Sequence, residues 1–205
     1  QNEVLTAVRE QDPERIVFVP AMGWQDYNYI KYARVAEEDP NAVVSFHYYL
    51  PMLLSHYKML AWVGYQGAVQ YPGVVIPTQS DADKYPQYAS FHKTTYNADR
   101  IMGEMSNAAS DGRNAGLAVH CGEFGCSKNV AEAMRLAWFT DMVAAMEANN
   151  IPWTLWECLD GGFGFVDMEY GIYRINCPLL KVLTGKELTD AEAKVLLQKY
   201  GFKTE

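Results

Sequence analysis

The sequence predicts an α/β protein in which four parallel strands alternate with helices. Four short apolar runs that contain β-branched residues alternate along the chain with segments whose apolar residues recur at helical spacing. An apolar run without polar alternation is typical of a strand that is buried on both faces of a parallel sheet. The alternation of strand and helix, without an internal sequence repeat, favours a single α/β domain over residues 1–205.

The first half of the chain contains two of these units. Proline follows aspartate at two points in this half, and proline ends helices because it lacks a backbone donor. In chain order we predict an amphipathic helix over 2–11, a strand over 15–20, a helix that Asp26 caps and that reaches about residue 38, and a strand over 42–49.

The second half begins with a long connection from residue 50 to about 91. This connection is rich in Tyr, Pro and Gly, and connections of this length in compact domains are usually functional or mobile. We then predict a helix over 94–109, the central strand from Ala115 to Glu123, a helix over 127–149, a strand over 151–157, and two short helices over 177–183 and 190–200.

A lone carboxylate at the end of the central strand is the first candidate for chemistry. Glu123 ends the apolar run and stands between Gly122 and Gly125. Catalytic groups of parallel α/β folds collect at the carboxyl ends of strands, so Glu123 is a candidate nucleophile. An acidic loop residue or a helix cap is the alternative interpretation. Period two in the preceding strand places His47 and Tyr49 on one face.

Composition excludes several classes of partner. The formal net charge of -8 and the absence of a clustered Lys/Arg face argue against nucleic acid. No apolar run approaches the roughly 20 residues of a membrane span, and the first residues lack the pattern of an export signal. The many Tyr and Trp residues of predicted loops suit the faces of sugars, which offer apolar C–H patches ringed by hydroxyl groups.

The cysteines and the glycine-rich loop indicate no metal or cofactor. Cys121 and Cys126 lack the Cys-x-x-Cys spacing of zinc or redox sites, so buried thiols are the first interpretation and disulfides the second. The loop over 160–165 contains neither a Gly-Lys-Ser/Thr motif nor dinucleotide spacing, so we predict no phosphate-binding cofactor.

Five short motifs occur at predicted helix and strand ends, in a fixed order: Arg9-x-x-Asp12-Pro13, Trp24, Phe46-His-Tyr-Tyr-x-Pro51, Gly122-Glu-Phe-Gly125, and Trp156-Glu157 with Gly162-Phe-Gly164. In this order they resemble the C-terminal half of a glycoside hydrolase family 5 enzyme, an endoglucanase-type barrel. The resemblance implies half of a TIM-type (β/α)8 barrel, with four parallel βα units equivalent to strands five to eight.

The resemblance also implies roles for individual residues. Glu123 matches the nucleophile of a retaining β-1,4-glucan hydrolase, and His47 and Tyr49 match the pair that orients it. Trp156 matches the platform under the sugar being cleaved. The other expected substrate-binding residues are Trp24, the substrate-loop residues His56 and Trp62, and Glu157 beside the platform.

The general acid of the family has no evident counterpart in this chain. In the family it follows an Asn at the end of strand four, and the sequence contains one Asn-Glu pair, Asn2-Glu3, which lies in the first predicted helix. Loss of general acid catalysis removes about 10²- to 10⁴-fold in rate. We therefore expect weak activity or a need for a partner, with a non-catalytic β-glucan-binding remnant or a fragment of a longer enzyme as the alternatives.

A half barrel implies a further partner. Its first and last strands would be open edges and its lumen side chains would lie uncovered, so we expect a homodimer or a complementing half barrel. The resemblance implies an oligosaccharide substrate such as β-glucan and a secreted or periplasmic location.

Overall fold

The computed structural model describes residues 2–35, 39–59, 64–159 and 161–205. Its strands are β1 Val17–Pro20, β2 Ala42–Tyr48, β3 Gly73–Val74, β4 Thr95–Tyr96, β5 Ala118–Phe124, β6 Trp153–Leu155, β7 Val166–Glu169 and β8 Ile172–Ile175. Its α-helices are α1 Asn2–Gln11, α2 Met22–Gln25, α3 Met52–Ser55, α4 Gln79–Lys84, α5 Ala98–Asn114, α6 Glu132–Ala148, α7 Cys177–Thr184 and α8 Asp190–Lys199. Tyr27–Tyr32 and Pro86–Lys93 form 3₁₀ helices.

A four-stranded parallel sheet contains the strands whose ends bear the candidate catalytic residues. Its order is β1-β2-β5-β6, with Val17 opposite Ala42 and Val43 opposite Ala118. Parallel neighbours need a crossover connection, and helical segments supply it between successive strands. The predicted fold class, four parallel strands alternating with helices as in half of a TIM-type barrel, is confirmed.

The two faces of this sheet differ in exposure. On one face Val19, Val44 and Val119 are buried, and Gly112 of α5 packs so closely that an added Cβ would lie 2.0 Å from Cγ2 of Val119. On the other face Phe18 is 53% exposed and Ala118 is exposed. The prediction that the first strand is buried on both faces is therefore wrong, because alternate side chains of β1 face solvent.

The chain divides into two compact units. The first unit comprises Gln1–Tyr48, Met102–Phe124 and Ala145–Thr154. The second unit comprises Tyr49–Ile101, Gly125–Ala144 and Leu155–Glu205. The sequence predicted one domain over residues 1–205. The division into two compact units does not test that prediction, so it remains a prediction.

The core of the second unit is centred on α6. Trp138 is fully buried, its ring lies edge-on to Phe139 at 5.2 Å, and its Nε1 donates to the carbonyl of Leu50 at 3.0 Å. Tyr71 donates to a carboxylate oxygen of Asp141 at 2.5 Å. These contacts make the helix a packing element of this unit.

Several predicted boundaries are wrong. Asp26 caps a helix by accepting from the backbone N–H of Asn28, but the helix is of the 3₁₀ type and ends at Tyr32, since Ala33 is extended. Residues 36–38, to which the prediction extended, lie outside the described residues. The next long helix begins at Ala98 rather than residue 94, and the hairpin of β7 and β8 was not predicted. None of the described helices combines the length and the apolar character needed to cross a membrane.

Candidate active site

A β-bulge brings the predicted nucleophile beside its predicted partner. Phe46 lies opposite Cys121, but His47 lies opposite Glu123, so Gly122 is the additional residue of β5. Without the bulge His47 would face Gly122, and Glu123 would project from the other face. In the structure Nδ1 of His47 lies 3.4 Å from Oε2 of Glu123, and both side chains are partly exposed.

Gly122 is needed at this bulge for reasons of space. A Cβ at this position would lie 2.4 Å from Oγ of Ser45 and 3.6 Å from Cδ2 of His47. Any larger residue would therefore collide with the Ser45 hydroxyl, since separations under about 3 Å are not tolerated, whereas its distance from the His47 ring would be an ordinary contact. The glycine that the sequence places before Glu123 thus permits the close approach of β2 and β5.

The electrostatics of the pair favour a neutral histidine. Burial lowers the pKa of His47 below its ordinary value, and the carboxylate of Glu123 opposes this shift only in part. A neutral imidazole can donate one N–H to a carboxylate and leaves the carboxylate charge in place. The pair can therefore present an ionised carboxylate that is oriented by a ring nitrogen.

Three aromatic side chains form a second cluster within the second unit. The ring of Tyr49 lies 4.9 Å from that of His56 and 5.8 Å from that of Phe163. His56 and Phe163 meet edge to face at 5.2 Å. Tyr49 and His56, which were predicted as site residues, are thus neighbours, and Phe163 completes their packing.

The hydrogen bonds of Ser55 fix the tautomer of His56. Oγ of Ser55 donates to the carbonyl oxygen of Tyr49 at 2.5 Å, so it accepts from Nδ1 of His56, which lies 2.9 Å away. Burial lowers the pKa of His56, which favours the neutral ring. Nε2 of His56 is then the acceptor nitrogen and can receive a hydrogen bond from a hydroxyl group.

Trp156 and Glu157 directly follow β6. The indole of Trp156 is 46% exposed, as a sugar platform requires. Oε1 of Glu157 is buried and has no hydrogen-bond partner among the described residues, and a Cβ on Gly161 would lie 2.2 Å from it. The neighbouring Asp160 lies outside the described residues. Substrate binding by Glu157 stays a prediction.

The remaining predicted residues are more scattered. Trp24 follows β1, has a positive φ of 62° and is 98% exposed, so its ring is available to a ligand. Trp62 lies outside the described residues. The single Asn-Glu pair lies in the first turn of α1, with Glu3 exposed, and so belongs to a helix rather than to the end of a strand.

The cysteine and acidic side chains form neither a metal cluster nor a disulfide within the described residues. The described residues bring together no group of three or more His, Cys, Asp or Glu side chains that could hold a metal ion. All four cysteines are free thiols; Cys121 and Cys126 are buried, which raises the pKa of the Cys126 thiol to about 12.

Sequence comparison decides the family. Residues 1–162 match the sequence model of the family described as Cellulase (glycosyl hydrolase family 5). The chain belongs to glycosyl hydrolase family 5. Its family 5 relatives include Endoglucanase C of Acetivibrio thermocellus, 22% identical over 83% of this chain and 49% of that protein. Endoglucanase H of the same organism is 25% identical over 84% of this chain and 15% of that protein.

Solved structures share the fold of this family 5 chain. A hyperthermophilic endo-β-1,4-glucanase in complex with substrate superimposes with a TM-score of 0.68 at 22% identity, covering 90% of this chain and 52% of that one. Thermotoga maritima Cel5A in complex with cellobiose gives a TM-score of 0.64 at 19% identity, covering 88% and 52% of the two chains. The chain therefore spans about half the length of Endoglucanase C and of these structures.

Three half-buried histidines make the stability of this family 5 chain depend on pH. Burial lowers the pKa values of His47, His56 and His120, so each ring binds a proton more weakly when folded than when unfolded. Their contribution to stability is complete above the unfolded pKa of 6.5 and is lost as the pH falls below it. We expect the urea concentration at the midpoint of unfolding to decrease as the pH is lowered from about 7.5 to about 5.5. His56→Gln should reduce this dependence, and an unchanged midpoint in the parent protein would contradict the prediction.

Proposed function

We propose that this chain carries the nucleophile half of the active site of a retaining β-1,4-glucan hydrolase. The pairing of Glu123 with His47 at the carboxyl ends of β5 and β2, in a family 5 chain, is the observation that carries the proposal. Glu123 attacks the anomeric carbon to form a glycosyl-enzyme intermediate, which water then hydrolyses. His47 orients the carboxylate.

The aromatic residues serve the sugar in this proposal. Trp156 supplies an apolar platform for a pyranose face, and Trp24 offers an exposed indole to the glucan. Trp62 keeps the substrate-binding role that the family resemblance implies. Tyr49 keeps the orienting role that the family resemblance implies, His56 accepts a hydrogen bond from a sugar hydroxyl, and Glu157 binds substrate beside the platform. A secreted or periplasmic location suits a polymeric substrate.

Hydrolysis assays test this proposal. An aryl cellobioside with a good leaving group needs little protonation, so the nucleophile alone should cleave it. A soluble glucan needs the proton donor, so its turnover should be lower by about 10²- to 10⁴-fold. Products that retain the β configuration support the proposal, and products of inverted configuration contradict it.

The alternative is a non-catalytic β-glucan-binding protein. The placement of the one Asn-Glu pair within helix α1, rather than at the end of a strand, favours this alternative. It predicts that cello-oligosaccharides bind in calorimetry and that no product forms from either substrate after long incubation.

The uncovered face of the sheet supports a role for a partner. Ile16 is 61% exposed, and a groove of about 460 Å³ is lined by Phe18, Val43, Ala118 and His120 among others. Nδ1 of His120 is buried without a hydrogen-bond partner among the described residues. Strands β1 and β6 are the edges of the sheet. Apolar faces and open edges of this kind favour association.

The partner we propose is a complementing half barrel with four parallel strands. Such a partner would pair with both edges and restore eight strands. It would also supply the general acid, which in the family lies at the end of strand four. A second copy of this chain would bring only the same carboxylates and would not contain a strand equivalent to strand four. The half length of the chain relative to Endoglucanase C agrees with this choice.

Light scattering tests the choice of partner. We expect the purified chain to be a monomer that binds a hydrophobic dye, and to form a one-to-one complex with the half of Endoglucanase C that it does not match. Complex formation should displace the dye, and Phe18→Asp should prevent it. A particle of twice the chain mass would establish the homodimer instead, and a monomer that binds neither dye nor partner would contradict docking at this face.

A further inference from the structure

A buried guanidinium joins two loops of the second unit. Arg135 of α6 is only 4% exposed. Its Nε donates to the carbonyl of Cys126 at 2.9 Å, and its Nη2 donates to the carbonyls of Phe163 and of Gly164, the latter at 2.8 Å. Its described hydrogen-bond partners are thus carbonyl oxygens from two loops. A buried charge requires such compensation, because an unpaired one would be strongly destabilising.

Both loops lie next to proposed site residues. Cys126 belongs to the segment that directly follows β5, and Phe163 belongs to the glycine-rich loop that follows Trp156 and Glu157. The loops are in tight contact, since a Cβ on Gly125 would lie 2.3 Å from the carbonyl oxygen of Trp156 and 3.0 Å from Cδ1 of Phe163. Neither loop could shift without the other.

The ring of Phe163 extends this connection to the aromatic cluster. It is the common neighbour of His56, at 5.2 Å, and of Tyr49, at 5.8 Å. Phe163 is itself only 6% exposed, so its backbone position determines where its ring can lie. A change in the carbonyl contacts of Arg135 should therefore move the rings of His56 and Tyr49.

We propose that Arg135 is a positioning residue that sets the orientation of His56 and Tyr49 through Phe163. The expected effect on sugar binding rests on the proposed function. The contacts from Arg135 through Phe163 to His56 and Tyr49 do not depend on it. Arginine suits this position because its planar fork directs several N–H groups in fixed directions, whereas one ammonium group cannot reach carbonyls on two loops with the same geometry.

Arg135→Lys and Phe163→Ala test the route. We expect each to weaken the binding of cellotetraose in calorimetry by about tenfold, the change that loss of one hydrogen bond of about 1.4 kcal/mol produces. Leu179→Ala is the matched control. Leu179 is fully buried in α7 of the same unit, and its truncation should lower Tm without changing the affinity.

An NMR titration of His56 separates this inference from the proposed function. Burial lowers the pKa of His56, so loosening of Phe163 should raise it towards its ordinary value in Arg135→Lys but not in Leu179→Ala. Parent protein that binds no cellotetraose would contradict sugar binding and leave this titration as the test. A His56 pKa that is unchanged in Arg135→Lys would overturn the inference, whether or not it moves in Phe163→Ala, because Phe163 contacts His56 directly. If Arg135→Lys does not fold, Arg135→Met, which keeps an unbranched side chain without the N–H donors, takes its place in the titration.

Discussion

Replacing Glu123 with alanine is expected to reduce turnover of an aryl cellobioside to background, a loss on the order of 10⁴-fold. In the proposed mechanism the carboxylate supplies the electron pair that attacks the anomeric carbon, and alanine has no group that can replace it. The measurement is the initial rate of phenol release. The purified protein must be in excess of any contaminating hydrolase. Glu123→Gln should show the same loss, because an amide is a poor nucleophile.

Two controls make this result specific to the nucleophile. Glu169, an exposed carboxylate on the β7 strand, can be changed to alanine and should leave turnover unchanged. Azide should restore cleavage in Glu123→Ala by attacking from the vacated side, which gives a glycosyl azide of α configuration. Equal rates for parent and Glu123→Ala would remove Glu123 from the mechanism.

Replacing Trp138 with alanine is expected to lower the free energy of unfolding by about 3–5 kcal/mol. The substitution leaves a cavity beside Phe139 and deprives the carbonyl of Leu50 of its indole donor. Domains are commonly stable by only about 5–15 kcal/mol, so this loss is a large fraction of the total. Urea denaturation, monitored by circular dichroism, measures it.

Trp138→Phe separates the two parts of this effect. It keeps most of the ring volume and removes the donor, so its loss should be about 1–3 kcal/mol. Thr140 lies exposed on the same helix, and Thr140→Ala should change stability by less than about 0.5 kcal/mol. A Trp138→Ala protein as stable as Thr140→Ala would contradict the assignment of this residue to the core.

Sequence patterns were sufficient for the elements that carry the strand ends. The apolar runs predicted all four strands of the parallel sheet, and the order of short motifs predicted the family, because both depend on residue types at fixed spacing. The expectation that His47 neighbours Glu123 came from the family resemblance, and the structure places Nδ1 of His47 3.4 Å from Oε2 of Glu123.

Other features depend on contacts that spacing does not encode. The bulge at Gly122 is invisible in a pattern of period two, although a glycine next to the candidate carboxylate is a weak signal of it. The exposed face of β1 could not be told from a buried one, because Phe18 and Val19 are equally apolar. Arg135 was missed because its partners are backbone carbonyls, which every residue possesses. The 3₁₀ helix of Tyr27–Tyr32 replaced a longer predicted helix because local chain geometry overrode the apolar spacing.

The unequal accessibility of the thiols offers a route to a spectroscopic sensor. Cys121 and Cys126 are buried and Cys177 is half-buried, whereas Cys158 is exposed. Partial burial raises the pKa of the Cys158 thiol, so its alkylation requires mildly alkaline buffer. Cys121 and Cys126 stay unreactive because they are buried. A maleimide fluorophore would then attach chiefly beside Trp156, and quenching of its emission by the indole would report glucan occupancy without any turnover.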